Sequence, residues 1–178
     1  MQLTLLRHIQ TLAPEGTCYG QSEPELPPDH ELQHRQLARA LDGETFHAIY
    51  SSPLQRCALL AETIAGPRPV TYDDRLKEID FGSWEGLPWS EIEQRPEAAP
   101  FFADWVHTPP PGGEPFIDLI ARVGCFLAEI GKRHRDHHLL VVSHSGPIRA
   151  ILGLAEHLPP EDFFKRSLPF GHISRINL

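Results

Sequence analysis

Two short runs of the chain are apolar at nearly every position. Leu3-Thr4-Leu5-Leu6 and Leu139-Leu140-Val141-Val142 lack the alternation of a half-exposed strand. Both therefore read as parallel strands buried on both faces. Residues 46–50 predict another strand, ending at Ser51. A short one is predicted over 70–72, and 171–178 reads as an edge strand. Helical spacing fills the intervals. Leu32, Leu37 and Leu41 follow a start at Pro27-Pro28-Asp29 and run to Gly43. Ser52-Pro53-Leu54-Gln55 carries a helix opening, with Ser52 as N-cap, Pro53 first in the helix and Gln55 in the capping-box position. That helix stops at Gly66-Pro67. Residues 116–133 form the clearest amphipathic helix, with Ile117, Ile120, Val123, Leu127 and Ile130 on one face. A last helix is expected from Pro147. Strand and helix thus alternate, which predicts an α/β fold: a three-layer α/β/α sandwich with a mainly parallel sheet and helices on both faces. Residues 84–115 interrupt the alternation. The stretch 88–105 reads as helix in pieces broken at Pro96 and Pro100, and Pro109-Pro110-Pro111-Gly112-Gly113 is a loop. We expect this excursion to cover the site within a single domain spanning 1–178.

The ends of the strands carry the polar groups that matter. In an open α/β sheet, ligands bind beyond the carboxyl ends of the strands. The first run ends in Arg7-His8 and the run at 139–142 leads into Ser143-His144. Arg56 falls in the first turn after the strand at 46–50, where the helix end already favours anions. Two guanidinium forks suited to phosphate and two imidazoles should converge there, a phosphate pocket with a nucleophile in it. A neutral imidazole such as that of His8 can form a covalent intermediate. The loop at 13–24 leaves the strand end at His8, and its Tyr19 and Gln21 suit stacking on and hydrogen-bonding a ring. Residues 73–86 are rich in acids and glycine, so composition does not select one carboxylate. The group His134-Arg135-Asp136-His137-His138 invites a metal reading, but no spaced carboxylate or cysteine accompanies it. A solvated helix end is the expectation.

Composition narrows the setting. At 178 residues, length favours one domain with a substantial core. A net charge of −8 argues against a nucleic-acid partner or an anionic membrane surface, but not against a small anion held by local arginines. Cys18, Cys57 and Cys125 are odd in number and lack metal or redox spacing. With no leader-like h-region at the start, they predict reduced thiols in a soluble cytoplasmic protein.

Four ordered segments together resemble a known family. They are Leu6-Arg7-His8 with Gln10-Thr11, then Tyr50-Ser51-Ser52-Pro53-Leu54-Gln55-Arg56. Glu78-Ile79-Asp80-Phe81-Gly82 with Trp84-Glu85-Gly86 comes third, and Ser143-His144-Ser145-Gly146 with Ile148-Arg149 last. The chain resembles the histidine phosphatase (phosphoglycerate mutase-like) superfamily. Gly16-Thr17-Cys18-Tyr19-Gly20-Gln21-Ser22-Glu23 and Pro110-Pro111-Gly112-Gly113-Glu114 are most similar to its alpha-ribazole phosphatase branch. That branch removes a 5′-phosphate late in cobalamin synthesis.

The resemblance implies a phosphomonoester hydrolase in which His8 becomes phosphohistidine. Arg7, Arg56 and His144 would hold the phosphoryl oxygens, and Glu78 would protonate the leaving group and then activate water. Gln10, Thr11, Tyr19, Gly20, Gln21 and Ser145 would contact phosphate or substrate, while Asp80 and Glu85 would hold loops. It calls for no cofactor and no metal. The partner it implies is a small phosphorylated substrate, alpha-ribazole 5′-phosphate or the cobalamin 5′-phosphate, and a homodimer is possible. Two positions depart from the family pattern: Ile9 replaces the usual glycine after the catalytic histidine, and Pro14 a frequent asparagine. Both bear on substrate contacts. Long insertions and basic segments associated with the mutases are missing, which favours hydrolysis over transfer. The alternatives are a broad-specificity, sugar-phosphate or phosphoprotein phosphatase of the same superfamily, and a non-catalytic scaffold, whose expected loss of His8 or Glu78 is not seen.

Overall fold

The computed structural model describes all residues, 1–178. Five strands form one sheet: β1 (Gln2–Arg7), β2 (Ala48–Ser51), β3 (Thr71–Tyr72), β4 (His138–Ser143) and β5 (Ile173–Asn177). Their order is β3-β2-β4-β1-β5. All neighbours are parallel except the β1–β5 pair, where β5 returns antiparallel along one edge.

The strands alternate strictly between two cores. Leu3 and Leu5 of β1, with Leu139 and Val141 of β4, face α5 (Phe116–Arg133) and α6 (Ser145–Ala155). Leu6, Leu140 and Val142 face the other way, onto a core that includes Leu41 after α1 (His30–Ala40) and Cys57, Leu60 and Ala61 of α2 (Gln55–Ala65). Both faces are therefore covered, and the apolar runs are continuous because neither side meets water. Register then sets the site. Arg7 pairs with Ser143 and Ser51 with Val142, so the three central strands end side by side. His8, His144 and Ser52 emerge from that common edge.

Several boundaries differ from expectation. Helix α2 opens at Gln55, after an extended Leu54, and no capping box forms. Ser52 is drawn away: its Oγ accepts from Leu54 N–H at 3.3 Å and lies 2.7 Å from His144 Nε2. The Gln55 N–H donates instead to Glu23 Oε1 at 2.7 Å. Helix α6 starts at Ser145, two residues before Pro147, whose missing N–H falls in the first turn where it has no intrahelical acceptor. The same reason leaves Pro100 inside α4 (Ala98–Ala103), whereas the stretch around Pro96 does separate it from α3 (Trp89–Ile92). The buried stripe of α5 is centred on Phe116, Leu119, Val123 and Phe126, so Ile117 and Leu127 lie at its margin. The histidines after α5 are tied to the sheet's amino edge rather than simply solvated. His134 Nε2 meets Tyr50 Oη at 2.9 Å, His137 stacks on His47, and His138 meets Thr4 Oγ1 at 2.9 Å.

The excursion at 84–115 packs as a small core of its own around Trp84, Ile92 and Phe101, with Cys18 from the first loop. Loop and excursion are knitted by main-chain bonds: Cys18 N–H to Leu87 O, Gly86 N–H to Cys18 O and Trp89 N–H to Gly16 O, each at 2.8 Å. No helix is long and apolar enough to cross a membrane.

Candidate active site

His8 directly follows β1 and is almost fully buried. Its Nδ1 lies 2.6 Å from the Ile9 carbonyl oxygen. A carbonyl can only accept, so the proton sits on Nδ1 and the Nε2 lone pair is left free. Burial first, and then the Arg56 charge, hold this imidazole well below the usual histidine range. The Ile9 hydrogen bond works the other way without reversing the result. A neutral, oriented imidazole is what a nucleophile at phosphorus requires.

The two arginines flank it. Arg7 donates through Nη1 to the Leu168 carbonyl and lies over the Phe170 ring, 3.9 Å from the centroid. Its Nε is buried with no partner in the protein, a donor left for an anion. Arg56, in the first turn of α2, is 1% exposed. It donates Nη1 to the Ser22 carbonyl at 2.8 Å and Nη2 to the Gly20 carbonyl. Arg56 therefore pins the first loop as well as facing the cavity.

His144 lies beneath this pair, with its ring 5.0 Å from that of His8. Its Nδ1 is 3.3 Å from Arg56 Nε and its Nε2 is 2.7 Å from Ser52 Oγ. Burial, followed by the neighbouring His8 and Arg56, pushes its pKa well below the usual range. Arg56 Nε can only donate, so His144 Nδ1 accepts, the ring proton sits on Nε2, and Ser52 Oγ accepts from it. His144 does not itself line the cavity.

Glu78 comes from the loop after the turn at Asp74–Leu76. Its carboxylate accepts from Ile79 N–H at 3.0 Å and from Gly146 N–H at 3.1 Å, at the start of α6. A Cβ at position 146 would collide with Glu78 Oε1, so glycine is what lets the acid sit against the helix end.

A cavity of about 630 Å³ opens over these groups. Arg7, His8, Arg56 and Glu78 line it together with Gln10, Thr11, Tyr19 and Ser145. Gly20 and Gln21 do not. Gly20 packs where a Cβ would meet the Ile79 carbonyl, and the Gln21 side chain donates to the Glu78 carbonyl at 3.2 Å. Both serve the loop's seat rather than the cavity wall. Glu85 completes that seat, accepting from Gln21 N–H at 2.8 Å and Ser22 N–H at 2.6 Å. Ile9 is buried away from the wall, whereas Pro14 forms part of it. Phe81, Trp89 and Phe170, which the sequence did not single out as site residues, also line the cavity. Their signal was only aromatic character, in a short helix for Trp89 and in loops for Phe81 and Phe170.

Beyond Glu78 and Ser145 a second cleft of about 550 Å³ continues from the first. Phe81, Trp89, Phe102, Trp105, Phe116 and Phe164 form its walls, and Phe81, Trp89, Glu78 and Ser145 border both spaces.

A family model described as the histidine phosphatase superfamily (branch 1) matches residues 3–178. Phosphoserine phosphatase 1 of Hydrogenobacter thermophilus is 38% identical over 159 residues, 85% of this chain and 74% of that protein. Adenosylcobalamin/alpha-ribazole phosphatase of Escherichia coli is 29% identical over 184 residues, 100% of this chain and 90% of that protein. Against three mycobacterial relatives, each 38% identical, the chain spans only 44% of their length. The solved alpha-ribazole phosphatase of Shigella flexneri superposes with a TM-score of 0.92 at 27% identity, covering 100% of this chain and 91% of that one. The family model leaves out only the first two residues, and the chain belongs to the histidine phosphatase superfamily, with the phosphoglycerate mutase-like fold and the phosphatase chemistry of its relatives.

Proposed function

We propose that this phosphatase works through a phosphohistidine at His8 and that its substrate is alpha-ribazole 5′-phosphate or the corresponding cobalamin 5′-phosphate. His8 Nε2 attacks phosphorus in line. Arg7 and Arg56 take the charge that spreads over the phosphoryl oxygens, the main demand of such a transfer. His144 accepts from Arg56 Nε–H through its Nδ1 and so braces that guanidinium from behind the cavity wall. Glu78 gives its proton to the departing ribose oxygen. Once that product leaves, the same carboxylate draws a proton from the water that cleaves the phosphohistidine.

The observation that carries the substrate is the aromatic cleft beside Glu78. A leaving group protonated by Glu78 must extend past it, and that path is walled by Phe81, Trp89, Trp105 and Phe116. A flat benzimidazole on a ribose fills such a space by stacking. The specific observation favouring phosphoserine is the higher identity to the Hydrogenobacter protein. Its carboxylate, however, would want a cation. The phosphate cavity contains no cationic side chain beyond Arg7 and Arg56. The cation at the cleft, Lys165, is 74% exposed and paired with Asp162 at 2.7 Å, at the solvent side of the space.

The test is a comparison of kcat/KM for alpha-ribazole 5′-phosphate and O-phosphoserine, with Trp89→Ala alongside. The proposal expects the aromatic ester to be preferred and that preference to shrink in the variant. A preference for phosphoserine, unaffected by Trp89→Ala, would remove the aromatic reading and leave the phosphohistidine chemistry standing.

A further inference from the structure

We propose that Arg122 and Glu114 act together as the device that positions Glu78 for proton transfer. This rests on Glu78 being the acid. Glu78 lies in a segment that has no partner in the sheet and no helix beyond the short turn at Asp74–Leu76. Something else must fix its main chain. Arg122 projects from the rigid α5 and donates Nη1 to the carbonyls of Arg75 at 2.7 Å and Lys77 at 2.8 Å. Its Nη2 reaches the Glu78 carbonyl at 3.1 Å. One guanidinium thus satisfies three carbonyls that end at the acid itself.

Glu114 locks the fork from the other side. Its Oε1 and Oε2 accept from Arg122 Nη2 at 2.6 Å and Nε at 3.1 Å. The same Oε1 accepts from Asp80 N–H at 3.1 Å, and the Glu114 N–H donates to the Asp80 carbonyl at 3.0 Å. The chain is therefore gripped on both sides of Glu78, before it by Arg122 and after it by Glu114. Each of the paired side chains is only 19% exposed, so water competes little for these bonds. Gly146 N–H then fixes the carboxylate end. Arg122 and Glu114 do not border the cavity and touch no reacting atom, so they are positioning residues. Lysine cannot replace the fork, because one ammonium cannot meet three carbonyls and a carboxylate in a plane.

The experiment compares Arg122→Lys and Glu114→Gln with Glu78→Ala on two esters. Glycerol 2-phosphate releases an alkoxide that needs a proton, and p-nitrophenyl phosphate releases a phenolate that does not. General acid catalysis is worth roughly 100-fold or more, so a misplaced acid should cost the clamp variants about tenfold in kcat/KM on the alkyl ester and under about threefold on the aryl ester. Competitive inhibition by inorganic phosphate, which reads Arg7, Arg56 and His8, should stay unchanged. Equal losses on both esters with weakened phosphate binding, or no loss on either, would overturn the proposal. If Glu78→Ala discriminates between the esters and the clamp variants do not, the clamp alone fails. If Glu78→Ala does not discriminate, the acid assignment fails first and takes the clamp with it. Glu114→Gln keeps its shape and one acceptor, so it decides the matter if the arginine variant does not fold.

Discussion

The floor of the phosphate cavity and the walls of the adjoining cleft are made by different means. The floor and the layer directly behind it consist of residues that follow strand ends: His8 and Arg56 line the cavity, and Ser52 and His144 lie behind them. Each is at most 2% exposed. Most of their polar nitrogens have a fixed partner, the exception being His8 Nε2, whose lone pair is left free for phosphorus. The walls come mainly from loops and short helices at 79–105 and 161–165, with Phe116 from the start of α5, and they work through aromatic surface. Phe102 and Phe164 are 47% and 49% exposed. The difference separates two tasks. Charge on a transferring phosphoryl group is stabilised only by donors that are already in place, so the floor must be rigid. Recognition of a leaving group needs area and shape, which loops can vary without disturbing the floor.

The comparison is broken most severely by removing the nucleophile. His8→Ala should lower turnover on every ester by about 10⁴-fold or more, because loss of a covalent nucleophile leaves only binding and charge stabilisation. Steady-state assays on aryl and alkyl esters check it, and near-normal activity on either would refute the covalent route. Glu78→Ala should follow, with a loss of roughly 10² to 10⁴ on alkyl esters and much less on p-nitrophenyl phosphate. A leaving-group series measures the slope.

A wall residue should behave otherwise. Trp89→Ala should raise KM for alpha-ribazole 5′-phosphate up to about tenfold, the worth of one aromatic contact. It should leave glycerol 2-phosphate within about twofold. Equal losses on the two substrates would mean that the cleft supports the floor rather than reading the leaving group.

The smallest effect concerns pH and stability. Burial holds His8 and His144 well below the usual histidine range, and burial with the neighbouring His30 lowers His34 to about 4. These folded-state values lie below the unfolded one near 6.5, so above that pH they contribute no difference. As pH falls below it, the unfolded chain takes up protons that the folded chain refuses, and stability is lost at up to about 1.4 kcal/mol per pH unit for each histidine. Thermal melts from pH 7 to 5 should show Tm falling, and His34→Gln should flatten the slope slightly. A Tm that rises on acidification would contradict the burial argument.

The floor was far more legible in sequence than the walls. β1, β4 and α5 could be read because burial on both faces, or on one stripe, leaves a periodic mark. Arg7, His8, Arg56 and His144 could be placed because strand ends in a parallel sheet converge. Local signals misled where tertiary partners took over. Ser52 and Gln55 have the chemistry of a capping box, yet His144 claims the serine hydroxyl and Glu23 the Gln55 N–H. Gln21 suits a ring contact, but its amide goes to the Glu78 carbonyl. Phe170, near the end of the chain, and Trp89, at its middle, are brought to one cavity by the fold, and nothing local marks them. Arg122 left one trace, a cation beside the apolar stripe of the most regular helix, without any hint of the loop it holds.

The central claim is that phosphate passes through a covalent bond to His8. Rapid quench of the enzyme with ³²P-labelled substrate, followed by mapping of the labelled peptide, tests it most directly. The account predicts a phosphoramidate on His8, labile in acid and stable in base, that forms and decays fast enough to carry turnover. Label on Ser51 or Ser145, or turnover with no labelled protein at any time point, would contradict it.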